Sequence, residues 1–120
     1  MSEHNCIFCK IVKGEIPSRK IHEDDEFYAF HDIHPAAPVH ALVIPKRHIE
    51  TLSACSDADA PLLGKMMVLT AKLAEQLGCA YTGAETGFRT VINVGPNGGQ
   101  EVYHLHAHIL GGPRPWSRME

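Results

Sequence analysis

The chain of 120 residues lacks several features that would place it at once in a large class of proteins. No apolar run approaches the roughly 20 residues that a membrane-spanning helix needs. Lysine and arginine number 11 against 14 acidic residues, so the net charge of -3 offers no basic field to a nucleic-acid backbone. The first five residues lack the basic and apolar regions of a secretory signal peptide. We therefore expect a cytoplasmic protein with neither nucleic acid nor a membrane as its partner.

Internal repeats, low-complexity segments and linkers are also absent, and disulfide bonds are not expected. A chain of this length forms one domain with a core of its own, so we predict a single domain over residues 1–120. Four cysteines are present, and a reducing cytoplasm argues against a disulfide framework. Cys55 and Cys79 stand alone and are interpreted as small buried apolar residues, whereas Cys6 and Cys9 form a C-x-x-C pair.

Two helices follow from the apolar spacing and the capping residues. Apolar residues that recur every three or four positions predict a long helix from about Asp59 to Leu77, with Met66 and Met67 on its core face. A short helix is predicted from about Cys6 to Lys13. Its N-cap would be Asn5, and glycines follow both helices as C-terminal stops, Gly14 and Gly78.

Five segments rich in apolar and aromatic residues predict strands. They are Arg19–Glu23, Phe27–Ile33, Val39–Ile44, Phe88–Val94 and Val102–Leu110. Most of them follow one another through short connections, which favours antiparallel pairing. The predicted fold class is α+β: an antiparallel sheet of about five strands with one long helix and a short N-terminal helix.

The most informative feature of the sequence is the alternating run His104-Leu105-His106-Ala107-His108. Alternation with a period of two predicts a strand that carries three imidazoles on one face. Histidine serves as a nucleophile, a proton carrier or a metal ligand near neutral pH. Three chemistries therefore remain open at this point: a zinc centre, acid–base catalysis without metal, and nucleophilic attack by an imidazole.

Residues around the histidine run favour phosphate chemistry. The loop Gly95–Gln100 holds three glycines just before the run, and clustered backbone N–H groups in such loops suit phosphate oxygens. Asp32 lies at the C-terminal end of the strand predicted over Phe27–Ile33, where a carboxylate can accept hydrogen bonds from ribose hydroxyls. The Cys6-x-x-Cys9 pair is by itself a weak zinc signal, because a structural zinc ion usually needs four ligands.

The run from His104 to Leu110 matches the histidine-triad signature, His-φ-His-φ-His-φ-φ, in which φ is apolar. Other segments that resemble this family are Ile7-Phe8, Glu15-Ile16-Pro17, Phe30 to Ile33, Pro38-Val39-His40, Leu42 to Lys46, Asn93, Gly98-Gly99-Gln100 and Val102-Tyr103-His104. The chain is similar to the histidine triad nucleotide-binding branch. Gly111-Gly112 and the short tail with Trp116 favour this branch over the dinucleoside polyphosphate hydrolases.

This resemblance implies a hydrolase that cleaves the P–N bond of nucleoside 5'-phosphoramidates, such as AMP-NH2 or AMP-lysine. His106 would attack phosphorus and form a nucleotidyl-histidine intermediate, and His108 would contact the phosphate and help to protonate the leaving amine. His40 and His104 would orient them, and catalysis would require no cofactor. Two alternatives remain: a dinucleoside polyphosphate hydrolase or nucleotidyltransferase of the same family, and a nucleotide-binding scaffold with weak catalysis.

The resemblance also implies binding residues, a metal set and a partner. A purine nucleotide of the AMP type would bind at Asp32, Ile33, Asn93, Gly99, Gln100, His106 and His108. A structural zinc ion would be held by Cys6, Cys9, His48 and His104. The protein would form a homodimer, with the tail that carries Trp116 reaching toward the partner's active site.

Glu101 departs from the pattern of this branch, in which many members carry a small hydroxyl residue at that position. A carboxylate that pointed into the site would repel a phosphate. Glu101 therefore either turns outward or recognises an ammonium-bearing leaving group, and we expect the outward orientation.

Overall fold

The computed structural model describes residues 5–116, so residues 1–4 and 117–120 of the predicted domain lie outside the described part of the chain. The helices are α1 (Ile7–Val12) and α2 (Ala60–Gln76). The strands are β1 (Lys20–Glu23), β2 (Phe27–His31), β3 (Val39–Pro45), β4 (Phe88–Val91) and β5 (Ala107–Gly111). Two turns of 3-10 helix, Leu52–Ala54 and Asp57–Asp59, lead into α2.

The five strands form one antiparallel sheet in the order β1-β2-β3-β5-β4. This sheet and the two helices confirm the predicted α+β class. The pairing of β3 with β5 runs from Val39 opposite Gly111 to Val43 opposite Ala107. This register sets His40 on β3 close to the end of the histidine run on β5.

Each face of the sheet packs against a different helix. The α2 face buries the main core, which includes Phe27, Val43, Met66, Leu73, Leu105, Ala107 and Ile109. The opposite face meets α1 and buries a second cluster, made of Cys6, Phe8, Cys9, Ile11, Tyr28, Phe30, Leu42 and Ile44. The apolar residues between the triad histidines therefore fill the α2 side, and the histidines themselves lie on the α1 side, where Phe8 contacts the rings of His104 and His106.

The strand that carries the triad is shorter than predicted, since β5 begins at Ala107 rather than Val102. The ladder with β3 stops at Val43 opposite Ala107. Further along β3 stands Pro45, which has no N–H to donate, and the N–H of Leu105 donates instead to the carbonyl of Ile49 at 2.7 Å. Only His108 of the three histidines therefore lies within a regular strand.

Three other element ends also differ from the prediction. The N-cap of α1 is Cys6 and not Asn5, because the extended Cys6 places its sulfur to accept the N–H of Cys9. β2 ends at His31, since Asp32 accepts the N–H of His34 and turns the chain. β4 ends at Val91, three residues before the predicted Val94.

The core face of α2 follows the predicted stripe except at one methionine. Met66 and Leu73 are buried, and Leu62, Leu69 and Leu77 pack against the same core. Met67 was assigned to this face wrongly: its side chain is 40% exposed, whereas that of Met66 is 0% exposed. Met67 points about 100° away from Met66 around the helix, toward the exposed side that it shares with Val68.

The glycines after the helices adopt the left-handed conformation that ends a helix, with φ values of 79° at Gly14 and 78° at Gly78. Both predicted stops are confirmed. Within residues 5–116, no helix combines the length and the apolar character that a membrane span requires.

The two neighbouring methionines of α2 test which face packs on the sheet. We expect Met66→Ala to lower the free energy of unfolding by about 2–5 kcal/mol, because it opens a cavity in the core. Met67→Ala, the matched control, should change it by less than about 1 kcal/mol. Chemical denaturation of both variants measures the difference, and equal losses would contradict the assigned orientation of α2.

Candidate active site and metal centre

A cleft of about 820 Å³ opens on the α1 side of the sheet. Its volume lies within the usual range of small-molecule sites. The cleft brings together seven residues that were predicted from the sequence: Asp32, Ile33, His40, Asn93, Gly99, His106 and His108. Two predicted residues, Gln100 and His104, are buried behind its wall and do not line it.

One end of the cleft is apolar. Ile7, Phe8 and Ile11 of α1 face Phe30 and Leu42 of the sheet across it. Phe8 contacts Phe30 edge to face with ring centres 5.4 Å apart. Ile33 is 80% exposed although it is large and apolar, and it stands at the same cleft. An apolar wall of this kind suits a flat aromatic ligand such as a nucleobase.

His106 is held in a single tautomer by the backbone. Its Nδ1 lies 2.7 Å from the carbonyl oxygen of His104, and since a carbonyl only accepts, Nδ1 carries the hydrogen. Burial lowers the pKa of His106, against smaller opposing effects of this hydrogen bond and of the carboxylates Asp32 and Glu101. The ring is therefore neutral near pH 7, and its Nε2 holds a free lone pair in a side chain that lines the cleft.

His40 and His108 form a second ordered pair. The N–H of Ala36 donates to Nδ1 of His40 at 2.9 Å, so the hydrogen of the neutral ring resides on Nε2. That Nε2 lies 2.9 Å from Nδ1 of His108 and 3.4 Å from a carboxylate oxygen of Asp32. His108 accepts at Nδ1 and therefore carries its own hydrogen on Nε2, as a donor on the cleft wall.

Both members of this pair are neutral at physiological pH. Burial is the main cause that lowers the pKa of His40. Burial, together with the neighbouring imidazoles of His106 and His40, lowers the pKa of His108 to about 4. The cleft thus presents a lone pair at His106 and an N–H at His108, with ring centres 5.0 Å apart. A ring nitrogen with a lone pair and a hydrogen-bond donor therefore lie side by side.

The same hydrogen bonds argue against a metal ion among the cleft histidines. Atoms of Asp32, His40 and His108 lie within 4.8 Å of one another, which is close enough to share an ion. A metal ligand must offer a lone pair, but Nε2 of His40 carries the hydrogen. If that hydrogen moved to Nδ1, it would face the N–H of Ala36, and two donors would oppose each other. This arrangement therefore favours a hydrogen-bonded pair over a metal site.

A separate cluster behind the cleft has the geometry of a metal centre. Nδ1 of His104 lies 3.3 Å from Sγ of Cys6, 3.5 Å from Sγ of Cys9 and 3.3 Å from Nδ1 of His48. Sγ of Cys9 and Nδ1 of His48 are also 3.3 Å apart. Tetrahedral zinc bound at its usual lengths separates its nitrogen and sulfur ligand atoms by roughly 3.3–3.8 Å. These four residues fit zinc in number, chemistry and spacing.

His104 connects the metal cluster to the cleft. Its side chain is fully buried, and Nε2 donates to the carbonyl of Pro45 at 2.7 Å, which leaves the lone pair of Nδ1 for the cluster. Its backbone carbonyl holds Nδ1 of His106. One residue therefore directs Nδ1 of its side chain into the cysteine–histidine cluster and fixes the tautomer of His106 through its backbone carbonyl.

The glycine loop is held by the side chain of Gln100. Its oxygen accepts the N–H of Gly95 at 2.9 Å, and its nitrogen donates to the carbonyls of Glu50 and Val102. Asn93 donates to the carbonyl of Gly98 at 2.7 Å, and Gly99 lines the cleft with a φ of 78° that favours glycine. The side chain of Gln100 thus shapes the loop.

Glu101 follows this anchored glutamine. It is exposed, as expected from the sequence, but it also lines the cleft, and its carboxylate raises the pKa of His106 against the larger effect of burial. The expected outward orientation therefore describes only part of its environment.

Trp116, the last described residue, packs on its own chain. Its Nε1 donates to the carbonyl of Gly112 at 2.9 Å. The guanidinium groups of Arg114 and Arg89 lie 4.4 and 5.5 Å from the ring centre. The expectation that this tail reaches a partner subunit stays a prediction.

Sequence reasoning missed the two groups that orient the histidines from outside the triad. These are the N–H of Ala36 and the carbonyl of Pro45. Every residue has a backbone, so no sequence signal marks such contacts. Phe8, which packs against His106, was noticed only as part of the family pattern.

Residues 13–114 match the family model described as the HIT domain. The chain is 50% identical over 109 residues to Protein HitA of Neisseria gonorrhoeae, with 91% of this chain and 97% of that protein covered. It is 47% identical over 113 residues to the purine nucleoside phosphoramidase of Escherichia coli K12, with 94% and 91% covered. The chain therefore belongs to the HIT family, as its histidine signature predicted.

Solved structures agree with this assignment. A HIT family hydrolase from Legionella pneumophila superposes with a TM-score of 0.85 at 48% identity, and 92% of this chain and 95% of that chain are covered. A zinc-bound histidine triad family protein from Mycobacterium smegmatis gives a TM-score of 0.74 at 30% identity, with 92% and 76% covered. The names of the Legionella structure and of the E. coli relative support a hydrolase role for this chain.

Acid should destabilise the fold through His108. In the unfolded chain this imidazole takes up a proton near pH 6.5, whereas in the fold its pKa is about 4. The stability that its neutral form contributes is complete above pH 6.5 and is lost as the pH falls toward 4. The whole shift corresponds to about 3 kcal/mol. Chemical denaturation between about pH 7.5 and 4.5 measures this loss in the free energy of unfolding.

Two substitutions separate this effect from general acid sensitivity. His108→Gln should flatten the pH profile of stability, because the titrating group is removed. His34→Gln alters an exposed histidine and should leave the profile as it is. A His108→Gln profile as steep as that of the unaltered protein would contradict the assignment.

Proposed function

We propose that this protein hydrolyses nucleoside 5'-phosphoramidates of the AMP-NH2 or AMP-lysine type, by way of a nucleotide bound to His106. The observation that carries the proposal is the hydrogen bond from Nδ1 of His106 to the carbonyl of His104, which leaves the lone pair on Nε2. The name of the E. coli relative, purine nucleoside phosphoramidase, supports the same class of substrate.

In the first step, Nε2 of His106 forms a bond to the α-phosphorus and the bond from phosphorus to the leaving nitrogen breaks. That nitrogen takes a proton delivered through Nε2 of His108, which solvent in the open cleft replaces. In the second step, water attacks phosphorus, the bond to His106 breaks, and its electron pair returns to Nε2. The proton taken up in the first step is released in the second, so one water is consumed per amine and AMP formed.

The remaining cleft residues would bind the nucleotide. The apolar wall with Ile33 would hold the purine, and Asp32 would accept hydrogen bonds from the ribose. Asn93, the backbone of Gly99 and Gln100, and the N–H of His108 would contact the phosphate. His40 acts on His108, because it donates to Nδ1 and so keeps the hydrogen of His108 on the cleft side.

We propose in addition that Cys6, Cys9, His48 and His104 hold a structural zinc ion. The ion would join α1 to the sheet and keep His104 in place, since two ligands come from the start of α1 and two from the segments that follow β3 and precede β5. None of the four residues lines the cleft, so the ion would not act on the phosphate as a Lewis acid.

The cellular setting and the assembly are also proposals. We propose a cytoplasmic homodimer with a purine nucleotide as substrate and without a nucleic acid or membrane partner. Along the described chain, the edge strand β4 pairs only with β5, and exposed Met67 and Val68 lie on α2. These surfaces are available to a second copy.

A brief reaction with adenosine 5'-phosphoramidate tests the proposed intermediate. Acid-free quenching and mass spectrometry should find AMP mass added to the peptide that contains His106. His106→Ala should lower turnover by at least about 1000-fold while nucleotide binding survives, because only the attacking lone pair is lost. His22→Ala, outside the cleft, is the matched control. Full activity of His106→Ala would contradict the mechanism, and binding without turnover by the unaltered protein would indicate a scaffold.

The zinc proposal is tested on the purified protein by metal analysis and thermal unfolding. We expect about one zinc ion per chain and a lower melting temperature after a strong chelator, because bound metal stabilises the folded state. Cys9→Ser should lose both the metal and the chelator effect. Cys55→Ser, at a half-buried cysteine outside the cluster, should keep both. Full zinc content in Cys9→Ser would refute the ligand set.

A further inference from the structure

The cleft is acidic at neutral pH, which is unexpected for a site that is proposed to bind a phosphate. Among the described residues that line it, there is no lysine or arginine. Burial lowers the pKa values of three lining histidines, His31, His40 and His108, so these rings bring no positive charge at neutral pH. The two carboxylates, Asp32 and Glu101, therefore dominate the charge of the wall.

The two carboxylates differ in their surroundings. Asp32 is engaged, because one of its oxygens accepts the N–H of His34 and the other lies 3.4 Å from Nε2 of His40. Glu101 makes no hydrogen bond or ion pair with any residue between 5 and 116, although it acts electrostatically on His106. An unpartnered carboxylate thus faces the cleft near the proposed nucleophile.

The backbone around Glu101 is anchored on both sides. Gln100 precedes it with a buried side chain that bonds Gly95, Glu50 and Val102, and Val102 follows it directly. The main chain at Glu101 is therefore held in place, and only the Glu101 side chain can change its rotamer. A solvated surface glutamate needs neither this anchoring nor a place on a cleft wall.

A substrate that carries a cation beyond its phosphate would relieve the repulsion between the wall and the phosphate. We infer that Glu101 selects phosphoramidates whose leaving amine bears a second, protonated amino group, such as a diamine or a basic amino acid. This inference rests on the proposed function and assigns it a class of leaving group. An ion pair across a partly solvated cleft corresponds to about a 3- to 10-fold preference.

Two adenosine phosphoramidates of matched length provide the test. One has 1,4-diaminobutane as its leaving amine, with a charged distal end, and the other has n-pentylamine, with a neutral end. The measured quantity is the ratio of their kcat/KM values. We expect a ratio of about 3 to 10 in the unaltered protein at low salt, falling toward one at high salt because exposed charges are screened.

Three variants locate the effect. Glu101→Gln should bring the ratio close to one, and Glu101→Lys should bring it below one, because the charge on the wall is removed and then reversed. Glu75→Gln removes an exposed carboxylate on α2 that does not line the cleft, and it should leave the ratio unchanged.

The outcomes distinguish this inference from the function on which it rests. If the unaltered protein cleaves neither compound, the proposed function fails. If it cleaves both and the ratio is the same in Glu101→Gln, the inference is overturned and the function stands. Equal losses of kcat/KM for both compounds in Glu101→Gln would show a structural role and would also overturn it.

Discussion

The hydrogen bond from Nδ1 of His106 to the carbonyl of His104 is the interaction on which the proposed chemistry of this protein depends. It decides which nitrogen of the central imidazole has a lone pair, and so whether the ring can attack at all. The carbonyl has a fixed position because the His104 side chain is itself held by Pro45 and faces the Cys6, Cys9 and His48 cluster. The proposed zinc site and the proposed nucleophile thus both depend on His104.

The backbone sets the protonation pattern of the whole site. The N–H of Ala36 orients His40, and His40 in turn orients His108. In each neutral ring these hydrogen bonds determine which nitrogen carries the hydrogen. Such order is possible because burial lowers the pKa values of these histidines and keeps them uncharged. The same burial predicts a fold that loses stability in acid, because protonation of His108 is disfavoured in the folded state.

The proposed binding of a nucleotide in an acidic cleft is compatible with these uncharged histidines. Backbone N–H groups of the glycine loop and the N–H of His108 can contact a phosphate without any fixed positive charge. Glu101 then affects selectivity, because it repels a bare anion and attracts a substrate with a cationic end. Selectivity in this view comes from the charge of the wall, and reactivity comes from the tautomer of His106.

The sequence alone determined the HIT family, the α+β class and the alternation that separates Leu105 and Ala107 from the histidines. These follow from side-chain types at fixed spacing, which a sequence records directly. The late start of β5, the exposure of Met67, the role of Ala36 and the place of Glu101 on the cleft wall were decided only by the tertiary structure. They depend on tertiary contacts between backbone groups and surfaces, and those contacts are made by residues that are distant in the sequence.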